Sequence, residues 1–376
     1  MRIVYFTHSL RSCWNHGNAH FLRGVLRELI ARGHDVIVFE PETGWSLANL
    51  LADHGPAGLD AYRAAYPELV SIPCGGEPDA EAMLDGADLV LVHEWNEPSL
   101  VAAIGRARRH GRFTLLFHDT HHRAVSDPEA MRALDLSDYD GVLAFGAALA
   151  EIYRTAGWAD RAFVWHEAAD TRLFRPPAEE GEREGLVWIG NWGDGERSRE
   201  IEQFLLRPAR TAGLSLDIHG VRYPDEALRT LADYGARYRG WLPNAAAPEV
   251  YARHLATVHV PRSLYASLLP GIPTIRVFEA LAAGIPLVCA PWEDREGLFR
   301  PGIDYLVAGD GAQMADRLIA LRHDPSLRAG LARNGLETIR ARHTCGHRAD
   351  ELMSIHAALS APALRPPLRP QLRSVA

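Results

Sequence analysis

Lysine is absent: all 40 basic side chains in the 376-residue chain are arginine. That excludes chemistry built on a lysine amine, including the Walker A phosphate loop, the protein-kinase strand lysine and the pyridoxal Schiff base. Genomic base composition is sufficient to account for it. Cysteine is scarce. Cys13, Cys74, Cys289 and Cys345 are scattered without C-x-x-C spacing, so neither a disulfide framework nor a structural zinc site is expected. No apolar run approaches the ~20 residues of a membrane span. The opening MRIVYFTHSL has one Arg and a short apolar run but no small-residue cleavage site, so a cytoplasmic location is expected. Excess positive charge is missing too. The formal net charge of −8 argues against nucleic acid as a partner.

What is present is an ordinary globular composition, 47% hydrophobic and 23% charged, at a length suited to two domains. MRIVYFTH reads as a buried parallel strand, followed by a loop with Gly17 and Asn18 and the helical pattern HFLRGVLRELIARG. DVIVFE, ADLVLVHE, RFTLLFHD, YDGVLAF and AFVWHE continue as strands, with helices such as PSLVAAIGRARRHG between them. The rhythm breaks at ADTRLFRPPAEEGEREG, where two prolines precede a stretch too polar for a core. It restarts with the strand GLVWIG, the loop NWGDG and the helix RSREIEQFLLRPARTAG. LSLDIHG, ARYRG, TVHVP and PLVCAP are further strands.

The expected fold class is α/β, two Rossmann-like doubly wound domains facing a central cleft. The divisions are an N-terminal domain over 1–170, a linker over 171–184 and a C-terminal domain over 185–343. A helix over 344–360 comes next, expected to pack back on the N-terminal domain, and then a disordered Pro/Arg tail over 361–376.

The most informative stretch is PGIPTIRVFEALAAGIP. Pro273 and Thr274 open a helix whose first-turn amides, at Ile275, Arg276 and Val277, would attract a phosphate. Glu279 lies one turn on, where a carboxylate accepts ribose hydroxyls, and Gly284 ends the helix. An ordinary helix with a surface Glu fits the same spacing. Phe117-His118-Asp119-Thr120-His121-His122 comes after a strand and invites a metal, but its ligands share one loop and no distant acid is specified. A sugar-contacting or proton-handling role for His118 or Asp119 is preferred. His93-Glu94-Trp95-Asn96 is a second polar group at a strand end, readable as a capping loop. Arg106, Arg108, Arg109 and Arg112 face an anionic lipid or acceptor, or are a solvated helix face.

FEALAAGIPLV resembles the donor-site signature of retaining GT-B glycosyltransferases, and ADTRLFRP resembles their interdomain hinge. HSLRSCWNHGNAHFLRGVLRELIARGHDV is similar to their glycine loop, first helix and second strand. WNHGNAH, GDGERSRE, HGVRYPD, YRGWLPN and RVFEALAAGIPLV together look most like CgeB-type members. The resemblance implies a hexosyl-type transferase that moves sugar from a nucleotide-diphosphate donor, with retention and without a catalytic metal or tightly bound cofactor. UDP-, GDP- and dTDP-sugars are the candidate co-substrates. The acceptor is an unspecified small molecule, glycan, lipid or protein, and peripheral membrane contact is left open.

On this reading Glu279 binds ribose, with Val277 and Phe278 beside it. Arg197 and Arg276 offset diphosphate charge, ahead of Arg199 and Arg262. Gly190, Asn191 and Trp192 line the phosphate pocket, and Trp241 and Leu242 fall where related enzymes hold the base. His16, Gly17, Asn18 and His20 form an acceptor or phosphate loop, and the acceptor face carries His118 or Asp119. One departure is Gly271, which stands where the family often has an acidic residue contacting the transferred sugar. The alternatives are an epimerase or hydrolase of the same fold and a catalytically weakened binding protein. A dinucleotide oxidoreductase is disfavoured, since Gly190, Gly193 and Gly195 run G-x-x-G-x-G.

Overall fold

The computed structural model describes residues 1–75, 79–179, 181–193 and 195–361; the 361–376 tail expectation therefore falls almost wholly outside them. Short β-branched and aromatic runs form strands buried on both faces, as a parallel sheet covered by helices requires. The first sheet comprises β1 (Arg2–Phe6), β2 (Asp35–Pro41), β3 (Ser71–Cys74), β4 (Leu89–His93), β5 (Thr114–Asp119), β6 (Gly141–Ala144) and β7 (Ala162–Val164). Its order is β3-β2-β1-β4-β5-β6-β7 and every pairing is parallel.

The second sheet holds β8 (Leu186–Ile189), β9 (Leu216–His219), β10 (Arg237–Gly240), β11 (Ala256–His259), β12 (Leu287–Cys289) and β13 (Leu306–Val307). It runs β10-β9-β8-β11-β12-β13, again all parallel. The order therefore reverses between β1 and β4 in one sheet and between β8 and β11 in the other. In open α/β sheets ligands bind outside the carboxyl ends of strands at such switch points.

The helices include α1 (Ala19–Ala31), α2 (Pro98–Arg108), α3 (Ile275–Ala283), α4 (Pro325–Arg342) and α5 (Cys345–Ser360). The inner face of α1 is buried, and Gly24 lets it approach α5, because a Cβ there would strike the Cys345 sulfur and the Asp170 side chain. Helix α5 returns to the first domain, where Trp165 Nε1 donates to Arg348 O (2.9 Å) and Arg32 pairs with Asp350 (2.7 Å). Gly284 ends α3 in the left-handed region at φ 68°, the cap its position in the sequence predicts.

The sequence reading omits β3, β13 and α4. At the end of α2, Arg108 pairs with Asp140 and the C-cap Arg109 with Asp138, so two of the four arginines considered for an anionic partner are committed to ion pairs on their own domain.

Candidate active site at the interdomain cleft

Glu279 is fully buried on α3, and its partners come from both domains. One oxygen accepts from Asn244 Nδ2 (2.7 Å) and from His20 Nδ1 (3.0 Å); the other pairs with Arg276 on the same helix. The backbone N–H of Asp170 donates to His20 Nε2 (2.7 Å), which leaves the proton on Nδ1 to face Glu279. Burial pushes the Glu279 carboxyl up, but the Arg276 charge and the bonds from His20 and Asn244 outweigh it and hold it below the usual value. Gly17 lies against this helix start, since a Cβ there would sit 3.3 Å from Ile275 Cγ2. Asn18 donates instead to Thr120 O (3.2 Å).

The remaining seam joins the domains through small polar contacts. Asn191 Nδ2 bonds Asn15 Oδ1, Asn244 N reaches Cys13 Sγ (3.3 Å) and Arg262 meets His122 Nε2 (3.1 Å). Glu296 accepts from Ala147 N (3.0 Å) and lies 3.1 Å from His166 Nε2.

Arg197 is placed differently. Its Nη2 donates to Asn191 O (2.7 Å) in the loop after β8, and its Nη1 to Val260 O (3.0 Å) after β11, so one guanidinium ties the two loops of the switch point. Its Nε is buried with no hydrogen-bond partner, and among the described residues no carboxylate forms an ion pair with it. Burial, and then the nearby Arg262 charge, lowers it to about 10, so it remains a cation at neutral pH.

Several expected donor residues belong to the packing. Trp192 is buried in the second core with Phe204 and Ile218, and Phe278 packs on Phe299 and His343. Val277 is also core, and its amide is spent on Thr274 O (3.0 Å), which leaves Ile275 and Arg276 as the first-turn amides without that bond. Gly190 O accepts from Tyr223 OH (2.7 Å) within the same domain. Trp241 packs on an interdomain cluster of Trp14, Leu47, Leu50, Leu59 and Val221, lies 4.7 Å from the His54 ring and has an unpartnered Nε1. Leu242 is partly buried against the main core.

His118 and Asp119 are deep in the first domain. His118 Nδ1 meets Tyr5 OH (2.7 Å) and its ring packs on Trp165. Asp119 accepts from His121 N (3.0 Å) and Tyr153 OH (2.7 Å), so both its oxygens are occupied internally. Burial raises Asp119 to about 6 and lowers His118 to about 3. The His-rich loop disperses: His122 bonds Ser126 and His121 packs on Trp95. Among the described residues no three His, Cys, Asp or Glu are arranged to hold a metal.

Two buried carboxyls stand out beyond the expected set. Glu94 Oε1 accepts from Thr120, while Oε2 lies 3.0 Å from His93 Nδ1 at an angle that makes no hydrogen bond. Glu167, after β7, has an unpartnered Oε1 and neighbours Glu279 and Arg276. Burial raises both well above the usual range, with a further push from Asp119 on Glu94 and from Glu279 on Glu167. Strand-end position marks Glu94 in the sequence; nothing there marks Glu167.

Two family models match. A "Glycosyl transferase-like" domain covers residues 197–354 and a "Glycosyltransferase Family 4" domain covers 17–173. No curated protein sequence matches the chain. Among solved structures, the fold is similar to Anabaena HepE in complex with UDP and glucose, at 14% identity and TM-score 0.66, covering 95% of this chain and 100% of that one. It is similar to sucrose-phosphate synthase from Thermosynechococcus elongatus, at 15% identity and TM-score 0.64, covering 96% and 99%. An alpha-glucosyltransferase in complex with UDP gives 12% identity and TM-score 0.69, covering 95% and 100%. Each half of the chain is thus similar to a glycosyltransferase model, and the whole has the two-domain Rossmann-like architecture seen in those solved structures.

Proposed function

We propose that these two domains transfer a sugar from a nucleotide-diphosphate donor to an acceptor, the donor lying on the C-terminal face and the acceptor on the N-terminal face. Arg197 carries the reading. A half-buried guanidinium bonded to carbonyls, with its Nε sheltered and unpartnered among the described residues, is costly unless an anion offsets it, and a diphosphate at the β8/β11 switch point supplies that charge. The same contacts stabilise a nucleoside diphosphate as it leaves, so catalysis rests on leaving-group stabilisation and cleft closure, without a catalytic metal. The UDP named with HepE and the alpha-glucosyltransferase favours UDP over GDP and dTDP.

Ribose hydroxyls would take up Glu279, exchanging for the bonds of Asn244 and His20. Since His20 belongs to the opposite domain, donor entry is coupled to a loosening of the seam. Retention of configuration and a hexosyl donor rest on the family resemblance, and the CgeB-type affiliation on WNHGNAH, GDGERSRE, HGVRYPD, YRGWLPN and RVFEALAAGIPLV taken together. Location in the cytoplasm rests on the sequence expectation, to which the structure adds that among the described residues no helix is long and apolar enough to cross a membrane.

The test is calorimetry of UDP, GDP, dTDP, ADP and CDP with wild type and Glu279→Ala, with and without Mg²⁺. UDP binding without metal that weakens by about tenfold or more in Glu279→Ala supports the site. A folded protein that binds none of these nucleotides overturns it.

A further inference from the structure

Two histidine–carboxylate contacts join the domains, and they differ by one proton. His20 accepts the Asp170 N–H at Nε2, so its single proton sits on Nδ1 toward Glu279 and the contact needs no other. His166 is placed the other way. Its Nδ1 lies 3.0 Å from Phe145 O, which only accepts, and its Nε2 lies 3.1 Å from Glu296 Oε2. A neutral imidazole has one N–H and one lone pair, so a neutral ring here turns a lone pair on either a carbonyl or a carboxylate. Both contacts attract together only when the pair holds one proton more than a neutral histidine beside an ionised glutamate.

Glu296 reaches this place from the C-terminal domain. Its loop, after β12, is pinned by Asp294, which accepts from Leu298 N (3.0 Å) and Phe299 N (2.7 Å), and by Trp292 Nε1, which donates to Ile272 O (3.2 Å). Glu296 Oε1 accepts from Ala147 N (3.0 Å), the first amide of the helix Ala147–Thr155, whose N-cap Gly146 has no side chain to cap it. Gly146 permits the approach, because a Cβ there would strike Ile272 and sit 3.2 Å from Glu296 Oε1. One carboxylate thus closes on a helix start and on an imidazole of the opposite domain. The side chains of His166 and Glu296 stay 13% and 15% exposed, so solvent protons reach them.

The ionisable groups around the pair have partners of their own. His343, ahead of α5, donates from Nε2 to Leu298 O (2.8 Å) and receives Arg348 Nη2 at Nδ1 (2.9 Å), so its ring is neutral. Arg342 bonds Gly297 O and Leu298 O, and Arg295 pairs with Glu293 (2.8 Å). Glu167, next in the chain, neighbours Glu279 and Arg276.

We infer that His166 and Glu296 form a proton-dependent clasp between the domains: the added proton closes it, and its loss as pH rises frees the Glu296 loop from the helix start at Ala147. The His20–Glu279 bridge takes up no such proton, so pH acts on the seam through one contact and ribose through the other.

The experiment is amide hydrogen exchange on the full chain without nucleotide from pH 6 to 8.5, a range over which a histidine beside a carboxylate gives up its proton. Rates are corrected for the intrinsic pH dependence of exchange. In wild type, protection of the amides at residues 147–149 should fall by about fivefold or more across the range. Glu296→Gln should stay protected with a flat profile, because its amide keeps an acceptor for Ala147 N and offers an N–H to the lone pair of a neutral His166. Glu296→Ala should be unprotected throughout, and His166→Gln, with no ring proton to lose, should also be flat. A flat wild-type profile, a fall in Glu296→Gln or His166→Gln that tracks wild type, or wild-type protection in Glu296→Ala at pH 6 overturns the clasp. A melting curve for each variant verifies folding. With no nucleotide present, the result stands apart from the donor reading.

Discussion

The two walls of the cleft are built on the same topology and carry opposite chemistry. At the β8/β11 switch point of the second sheet, a half-buried arginine bonds carbonyls and, among the described residues, forms no ion pair with a carboxylate. At the β1/β4 switch point of the first, the side chains are imidazoles held neutral and a carboxyl held high. The shared order of strands explains where ligands go on each wall. It does not explain which ligands. That is decided by the few side chains on the loops, where a sheltered cation selects an anion. The bridge from His20 to Glu279 joins the two chemistries, because either ligand alters the contact between domains.

Acid should break this contrast with the largest effect. His8, His118, His259 and His343 are lowered to about 3 and His122 to about 4, and His16, His93 and His121 are lowered well below the ordinary value, all mainly by burial. For a histidine kept neutral in the native state, stability is fully present above the unfolded value of about 6.5 and is lost as pH falls toward the native value. Each loses about 1.4 kcal/mol per pH unit. The raised carboxyls Glu94, Asp119 and Glu167 oppose this, gaining native stability as they protonate, but they are fewer than half as many. Net stability should fall by on the order of 5–10 kcal/mol between pH 6.5 and 5. Denaturant titrations at several pH values measure it, and a flat profile would mean that the N-terminal wall already carries protons, hence charge, near neutrality.

Next in size is Arg197→Met, which removes the cation from the other wall while keeping an apolar stem beside Trp188, whose ring lies 5.1 Å from the guanidinium. Charge-assisted bonds contribute about 1.5–3 kcal/mol each, so UDP affinity should drop by about a hundredfold. If calorimetry finds UDP affinity intact while the protein remains folded, the diphosphate lies elsewhere in the cleft, and the arginine serves to join its two loops.

How much of this the sequence discloses depends on how local each signal is. Strands such as β1, β4 and β5 are continuous apolar runs and are legible at sight. Ser71–Cys74 is a short edge strand containing a proline, β13 has two residues, and α4 buries only Leu331, Gly335, Thr338 and Ile339 along a mostly polar length. Such elements are held by the tertiary structure more than by their own pattern. The site divides in the same way. Glu279 stands out through its motif, and Arg197 through the glycine loop before it. That His20 would meet Glu279 across 259 positions is beyond any local pattern. Nor could spacing tell that Trp192 and Phe278 turn into the core while Arg197 bridges two loops.

The smallest expected effect concerns Asp119, and it separates burial from catalysis. Its carboxyl is raised to about 6 chiefly by burial, although the His121 amide and the Tyr153 hydroxyl both pull it down. A raised carboxyl contributes most to stability at low pH, where it is protonated in the native state, and that contribution is lost as pH rises through about 6. Asp119→Asn abolishes the titration, so its stability relative to wild type should improve from pH 5 to pH 7.5, by at most a few kcal/mol. The amide keeps one acceptor for His121 N, and the Tyr153 hydroxyl must turn to accept from the new NH₂, which costs about 1 kcal/mol or less. Sugar transfer at pH 7.5 should remain within about threefold of wild type, a change of ~0.7 kcal/mol in the barrier. A loss of a hundredfold with an unchanged melting temperature would instead make Asp119 a proton-handling group.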